Sequence, residues 1–273
     1  MRRGRPDNPS GGIHAADAIE MVRVLSRDPG LGCHLSPRDL AAATPEAIAP
    51  LVHSAKGTIA FAAEEPLTHD HLGLLLLDGL IARHVTFGQI GSTELLGPGD
   101  VLRPTIAHRS HAEVVTVRLQ VIVPADLAEL DRDFATRVRH WPGIVSALLE
   151  RAADRTDSQL LQAALRQTRY VEDRVLLALW HFAGRWGTVG PQGRALPLNL
   201  ITGEVLASIV GARRQSVSSA LGALADRGLI IRNPDGFLTV PDQPHLLRDL
   251  HAQEHGAANS GGDLDRGPVA APA

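Results

Sequence analysis

The sequence predicts an α+β fold in three parts: a small antiparallel β-domain, a long helix, and a helix-turn-helix followed by a β-hairpin. Short β-type runs about ten residues apart occupy roughly residues 51–123, with Gly-rich and Pro-rich turns between them. Helical patterns take over from residue 125 to residue 186. Residues 196–240 then alternate strand and helix patterns, and Gly211 and Gly228 stand where the chain must turn.

The composition is that of a globular protein with room for two domains. The chain has 273 residues, of which 44% are hydrophobic and 21% charged. It contains no run of 18 apolar residues, and its N-terminus lacks the apolar stretch of a signal peptide. We therefore expect a cytoplasmic protein that does not associate with membranes.

The cysteine count and the net charge exclude several classes of protein. A single cysteine, Cys33, rules out an intramolecular disulfide and any all-cysteine zinc or iron–sulfur site within one chain. We expect Cys33 to be a small, partly buried apolar residue. The net charge of −3 argues against a protein that coats nucleic acid, but a sequence-specific DNA binder needs only a local basic face.

Turn signals and composition divide the chain into segments. Weak helical patterns at Ala15–Ser26 and Pro37–Ala43 precede the β-region, where Asp78-Gly79 predicts a turn between two strands. A helix is predicted over Ala125–His140. The predicted segments are a disordered tail (1–12), a β-domain (13–140), a long helix (141–169), a helix-turn-helix domain (170–250) and a second disordered tail (251–273).

The long helix carries an apolar stripe that must be buried. Packing of the stripe on the chain's own β-domain is one solution, and packing against a second copy of the chain is the other. We favour the second, which predicts a homodimer. The stripe consists of Ile144, Val145, Leu148, Leu149, Leu160, Leu161 and Leu165.

Residues 197–241 carry the clearest functional signal. Thr202 is a plausible N-cap for a first helix that ends at Val210, and Gly211 supplies the tight turn to a second helix over Arg214–Arg227. The first turns of the second helix present forked and short hydrogen-bonding side chains, the types that read base edges and phosphates. The predicted DNA-binding residues are Thr202, Arg213, Arg214, Gln215, Ser216, Ser218 and Ser219.

The local charge supports this interpretation. Between Gly203 and Arg232 four arginines stand against Glu204 and Asp226, so the segment is basic within an acidic protein. A helix-turn-helix with a hairpin also occurs in protein-interaction modules. The alternative is therefore a non-enzymatic dimerisation or scaffold protein whose winged helix binds protein.

The stretch Ile201–Leu221 resembles the Crp–Fnr family, whose pattern is Thr, an apolar helix, Gly, then Ser-Arg-Glu-Thr-Val-Ser-Arg. The resemblance extends from about Leu72 to Val240, and Gly97–Val101 is similar to the family's Gly-Asp turn. It implies a cyclic-nucleotide-binding-like β-roll (a jelly roll), a long dimerisation helix and a C-terminal winged helix. It also implies a transcription regulator that binds double-stranded DNA as a homodimer, with RNA polymerase as a further candidate partner.

The resemblance includes departures at the base-reading positions. Arg214 matches the family's base-reading arginine, whereas Gln215 replaces its glutamate and Ser219 its second arginine. Arg213 replaces the serine cap and is predicted to contact phosphate. These departures predict a DNA half-site that differs from the family's usual one.

The β-roll is predicted to sense a small effector that the sequence does not identify. The positions that correspond to the family's ligand site are Gly99, Asp100, Arg103, Arg109 and Ser110. Arg103-Pro104 falls where the family has Gly-Glu, and too few residues remain for the phosphate-binding helix. We therefore expect an effector other than a cyclic nucleotide, or none, and no resident cofactor.

Metal and catalytic sites are not predicted. His69 and His71, with His108 and His111 nearby in sequence, lack the accompanying glutamate of a cupin-like metal site, so we interpret them as solvated loop residues. The sequence contains no P-loop, nucleophile elbow, HExxH motif or GxGxxG after a strand. These absences argue against an enzyme.

Overall fold

A computed structural model of the chain describes residues 20–59, 71–88, 90–103, 115–196, 203–234 and 236–241. It confirms the α+β class: an antiparallel β-roll precedes a long helix and a helix-turn-helix with a wing. No helix in these ranges is long and apolar enough to span a bilayer. The predicted tails, Thr202, Arg109 and Ser110 lie outside the described residues, as do His69, His108 and His111.

The described part of the roll is made of antiparallel strands and a few short helices. The strands form one sheet in the order β1-β2-β7-β4-β5, in which β3 pairs with β7 and β6 with β4. The elements are β1 (Met21–Arg23), α1 (Val24–Arg27), a 3-10 turn (Pro29–Gly32), α2 (Pro37–Ala43), β2 (Ile48–Ser54), β3 (Gly57–Ile59), β4 (Gly73–Phe87), β5 (Ile90–Leu96), β6 (Val101–Leu102), β7 (Val115–Leu130) and α3 (Arg132–Val138).

The C-terminal half is mostly helical. Its wing is a separate four-stranded antiparallel sheet in the order β10-β11-β9-β8. The elements are α4 (Pro142–Leu165), α5 (Val171–Trp186), β8 (Thr188–Gly190), β9 (Gly193–Leu196), α6 (Gly203–Val210), α7 (Arg214–Asp226), β10 (Ile231–Arg232) and β11 (Leu238–Val240).

The predicted turn at Asp78-Gly79 is wrong, because β4 continues through both residues. The pairing with β7 shifts register on both sides of Asp78, as in a β-bulge. Gly79 has φ of +90°, and a Cβ there would lie 2.6 Å from Cα of Ala125. A glycine is needed here because the strand bends and because β7 approaches closely. In the sequence, such a glycine after an aspartate has the same pattern as a turn.

Two predicted helices are strands for part of their length. In the predicted helix over Ala125–His140, residues 125–130 instead complete β7. This strand lies between β2 and β4 in the sheet and is hydrogen-bonded to both. In the predicted helix over Ala15–Ser26, Met21–Arg23 pairs with β2, whose own strand was not predicted. In both places the apolar spacing indicates a helix, but hydrogen bonding to strands distant in the sequence makes the segment a strand.

The predicted stripe on α4 is split between two faces. Ile144, Leu148 and Leu165 are buried against the chain's own core. Arg155 fixes this inner face to the roll, with hydrogen bonds of 2.7 and 2.9 Å from its guanidinium to Glu94 on β5. The outer face leaves four large apolar side chains exposed: Val145, Leu149, Leu160 and Leu161.

The roll and the helix-turn-helix share one hydrophobic core. Leu80, Leu95 and Ile122 of the roll belong to the same buried cluster as Phe182 on α5 and Ile209 on α6. The helical domain is thus packed directly on the roll, and the orientation of its outward side is fixed relative to the roll's surface.

Candidate nucleic-acid interface

The two helices of the helix-turn-helix are held by the apolar faces that the sequence predicted. On α7 the buried residues recur at helical spacing, and on α6 five of the eight residues are buried. The turn between the helices depends on Gly211, whose φ of +65° is the left-handed conformation that glycine adopts without strain. The packed residues are Val205, Leu206, Ile209, Val217, Ala220, Leu221 and Leu224.

Burial of one face of α7 forces the opposite face outward. Arg213 is the N-cap of α7 in an extended conformation, and Arg214 is its first helical residue. Among the described residues neither arginine takes part in an ion pair, so both guanidiniums are available to a ligand. The predicted reading residues that are exposed here are Arg213, Arg214, Gln215, Ser216, Ser218 and Ser219.

Two arginines that the sequence did not single out stabilise the turn. Arg166, just after α4, donates to the carbonyl oxygens of Ile209 (2.7 Å) and Ser208 (2.9 Å). Arg174 on α5 donates at 3.5 Å to the carbonyl oxygen of Gly211. These cations satisfy carbonyl groups that the C-terminus of α6 leaves without helical partners, and they complement its dipole.

Arg166 also connects the helix-turn-helix domain, called the reading head below, to the roll. Its Nη1 donates at 3.0 Å to Oγ of Ser92 on β5. The next residue, Thr93, is hydrogen-bonded to the Ser208 hydroxyl on α6 and to Nδ1 of His84 on β4. Strand β5 therefore contacts the first helix of the helix-turn-helix through polar groups as well as through the shared core.

Asp100, a predicted ligand residue, bonds within the chain. Its side chain is 2% exposed, and one oxygen accepts from Arg185 of α5 at 2.5 Å. The other oxygen accepts from the backbone N–H of Gly97 at 2.9 Å. Burial raises the pKa of Asp100 above its usual value, although the charge of Arg185 acts in the opposite direction.

Two of the other predicted ligand positions, Gly99 and Arg103, make contacts within the chain. Gly99 has φ of +92°, which the turn requires, and its N–H donates to Leu76. Arg103 donates at 2.8 Å to the carbonyl oxygen of His71, which is 7% exposed, so the interpretation of His71 as a solvated loop residue is wrong. The prediction of a ligand site here stays a prediction, because Arg109 and Ser110 lie outside the described residues.

The C-terminal domain matches a family model. Residues 173–249 match the model described as a Crp-like helix-turn-helix domain. The C-terminal domain is therefore a Crp-like helix-turn-helix domain. A Crp–Fnr helix-turn-helix is the DNA-binding module of a transcription regulator, and here it presents the Arg213–Ser219 face outward.

Solved structures show that the Crp–Fnr fold extends over most of the chain. A CooA variant from Carboxydothermus hydrogenoformans is 19% identical with a TM-score of 0.54, over 78% of this chain and 89% of that one. FixK2 from Bradyrhizobium japonicum is 16% identical with a TM-score of 0.55, over 74% and 96%. A cyclic nucleotide-binding domain containing protein from Listeria monocytogenes EGD-e is 18% identical with a TM-score of 0.57, over 70% and 89%. A search of curated proteins gave no match.

Proposed function

We propose that this protein is a regulator of the Crp–Fnr type that acts as a homodimer, reads an inverted-repeat operator and responds to a small effector bound by the β-roll. The observation that carries the proposal is the exposed N-terminal face of α7, whose opposite face is locked into the core. That geometry presents Arg214 and Gln215 to base edges in a major groove and Arg213 to a phosphate. The site of action is then the cytoplasm, where bacterial DNA lies.

The outer face of α4 supports the dimer. Val145, Leu149 and Leu160 lie about one or more turns apart on a helix of 24 residues, and each is exposed. Small side chains separate them on the same side, among them Ala152, Ala153 and Ala163, which permit close approach of a second helix. A twofold pairing of α4 would bury these apolar groups and set the distance between two reading heads.

The regulation that we propose depends on the contacts between roll and head. An effector changes DNA affinity only if it binds one arrangement of the heads better than another. Because β5 contacts α6 and Asp100 of the roll is bonded to Arg185 of α5, a shift in the roll would move the heads. The pattern of the sequence favours an effector other than a cyclic nucleotide. Contact with RNA polymerase belongs to the same proposal.

The DNA-reading role is tested by Arg214→Ala. On the best operator we expect a loss of about 1–3 kcal/mol and a relaxed preference at one position per half-site, because a bidentate arginine discriminates between bases. Arg213→Ala is expected to weaken specific and non-specific binding alike, because phosphate contacts carry little sequence information. Gel-shift titrations with operators selected from random DNA measure both effects.

A matched control is Arg38→Ala, which removes an exposed arginine from α2 of the roll, a helix that packs in a different hydrophobic cluster from α7. Its affinity for the operator should equal that of the unmodified protein. If Arg213→Ala and Arg214→Ala behaved like the control, α7 would not be the reading helix. The alternative of a winged helix that binds protein would then be favoured.

The dimer is tested by Leu149→Asp, since Leu149 is 67% exposed on the outer face of α4. We expect light scattering at micromolar concentration to change from the mass of a dimer to that of a monomer, because two carboxylates would meet at the helix pair. Leu148 is unsuitable for this purpose, because it is buried in its own chain. Ile90→Asp changes an equally exposed apolar residue on β5 and should leave the mass unaltered. A monomeric unmodified protein would contradict the proposal.

A further inference from the structure

Three side chains with different metal-binding atoms meet where the N-terminal segment crosses α4. Cys33 and His34 follow the 3-10 turn, and Glu150 lies on α4. Their ligand atoms all lie within 4.8 Å of one another, and Nε2 of His34 is 2.7 Å from a carboxylate oxygen of Glu150. All three residues are exposed, so the prediction of a partly buried Cys33 is wrong and an ion in solution reaches the three ligands directly.

The two segments are held together by contacts other than those among the three ligand atoms. Arg151, the neighbour of Glu150, forms an ion pair with Asp28, and its Nη2 donates to that carboxylate at 2.7 Å. At the other end, a Cβ on Gly143 would lie 3.1 Å from Cβ of His34, so the absence of a side chain lets the loop lie against α4. The backbones that carry the three ligands are thus positioned in advance, as a metal site requires.

We propose that Cys33, His34 and Glu150 form a Zn²⁺ site. A thiolate, an imidazole and a carboxylate are the ligand types of Zn²⁺, and three protein ligands leave the fourth tetrahedral position open to water or another ligand. A sulfur ligand disfavours Mg²⁺ and Ca²⁺, which prefer oxygen.

The observed spacing is close to what Zn²⁺ needs. With bonds of about 2.0–2.3 Å, tetrahedral ligand atoms are separated by roughly 3.3–3.8 Å. The gap between His34 and Glu150 must open by roughly half an ångström or more, and their exposed side-chain ends can rotate to do so. Binding forms a Zn–S bond, and the thiol proton of Cys33 passes to solvent.

The ion would connect the N-terminal segment to the outer surface of α4. Glu150 is adjacent to Leu149, so the site lies next to the apolar face already described. It is separate in the sequence and in the fold from the Arg213–Ser219 face. Zn²⁺ binding can therefore be measured on the full chain whether or not the protein binds DNA.

The test is a titration of the full-length, tag-free, reduced protein with Zn²⁺ by calorimetry, and with Co²⁺ as a coloured substitute. We expect one ion per chain and a sulfur-to-cobalt charge-transfer absorption. Cys33→Ser should abolish that absorption and weaken Zn²⁺ binding by about 100-fold or more, and Glu150→Gln by at least about tenfold. Loss of the thiolate should match or exceed the roughly 10–100-fold that loss of an outer partner costs, whereas Glu150→Gln keeps one oxygen donor and should weaken binding less.

The matched control is His53→Gln. His53 also lies between carboxylates, 2.7 Å from Asp126 and 3.1 Å from Glu20, but no thiol accompanies it. This variant should bind both metals as the unmodified protein does. Equal affinity in Cys33→Ser, or loss of binding in His53→Gln, would overturn the proposal. Zinc-edge X-ray absorption of the unmodified protein provides a check that needs no variant: a spectrum without one sulfur at about 2.3 Å would also overturn it.

Discussion

Replacing Arg185 with alanine is expected to destabilise the protein by about 3–5 kcal/mol at neutral pH, because it leaves a buried carboxylate without its cation. Asp100 is 2% exposed, and only the N–H of Gly97 would remain as its described partner. Arg185 also lies over the Trp186 ring, with 4.5 Å between the guanidinium carbon and the ring centroid. Urea denaturation followed by tryptophan fluorescence measures the loss, with Trp186 as the reporter closest to the site.

Acidification should reduce this loss. Burial already raises the pKa of Asp100 in the folded protein, and removal of Arg185 removes a charge that lowers it. A carboxyl with a raised pKa contributes stability at low pH that is lost as the pH rises through the folded-state value. The difference between Arg185→Ala and the unmodified protein should therefore shrink as the pH falls from 7 towards 5.

Two further variants separate the buried charge from other causes. Arg227→Ala removes an arginine from an exposed pair with Glu172 and should cost no more than about 1 kcal/mol. Asp100→Asn combined with Arg185→Ala should recover part of the stability, because the unpaired charge is gone. A loss as small as that of the control, or a double variant no more stable than Arg185→Ala, would show that the pair does not tie the roll to α5.

Moving the two halves of the operator apart by five base pairs should weaken binding by about a thousandfold or more, the lower end of the range that separates specific from non-specific sites. Two heads fixed by a symmetric dimer read half-sites about 34 Å apart, and half a turn places the second half-site on the far side of the duplex. Because the heads are packed on the roll through the shared core and through Arg166, they cannot rotate to follow it without losing those contacts. Fluorescence anisotropy with matched DNA duplexes measures the change.

The same duplexes provide an internal control with Leu149→Asp. A monomeric variant should bind both spacings equally and weakly, since it engages one half-site at a time. Undiminished affinity of the unmodified protein for the respaced operator would show that the heads bind independently. The coupled-dimer mechanism would then have to be abandoned.

Local patterns predicted the C-terminal half closely. Helix α5 ends at Trp186, where the predicted helical region ends, and α7 ends within one residue of its predicted end. Apolar spacing predicts the buried face of each helix, and Gly211 predicts a tight turn with a positive φ between them. Arg166 and Arg174 were not recognised because an exposed-looking arginine carries no local sign that it will bond a distant carbonyl group.

By itself, the sequence determined the helix-turn-helix, the face of α7 that points outward and the β-rich nature of the first half, because each depends on residues a few positions apart. Only the tertiary structure decided which side of α4 is free, why Asp78-Gly79 bends a strand instead of ending it, and which group Asp100 bonds. Asp100 and Arg185 are 85 residues apart, and His34 and Glu150 are 116 apart. No local pattern in the sequence links the two members of such a pair. Strand register and core packing bring them together only when the whole chain folds.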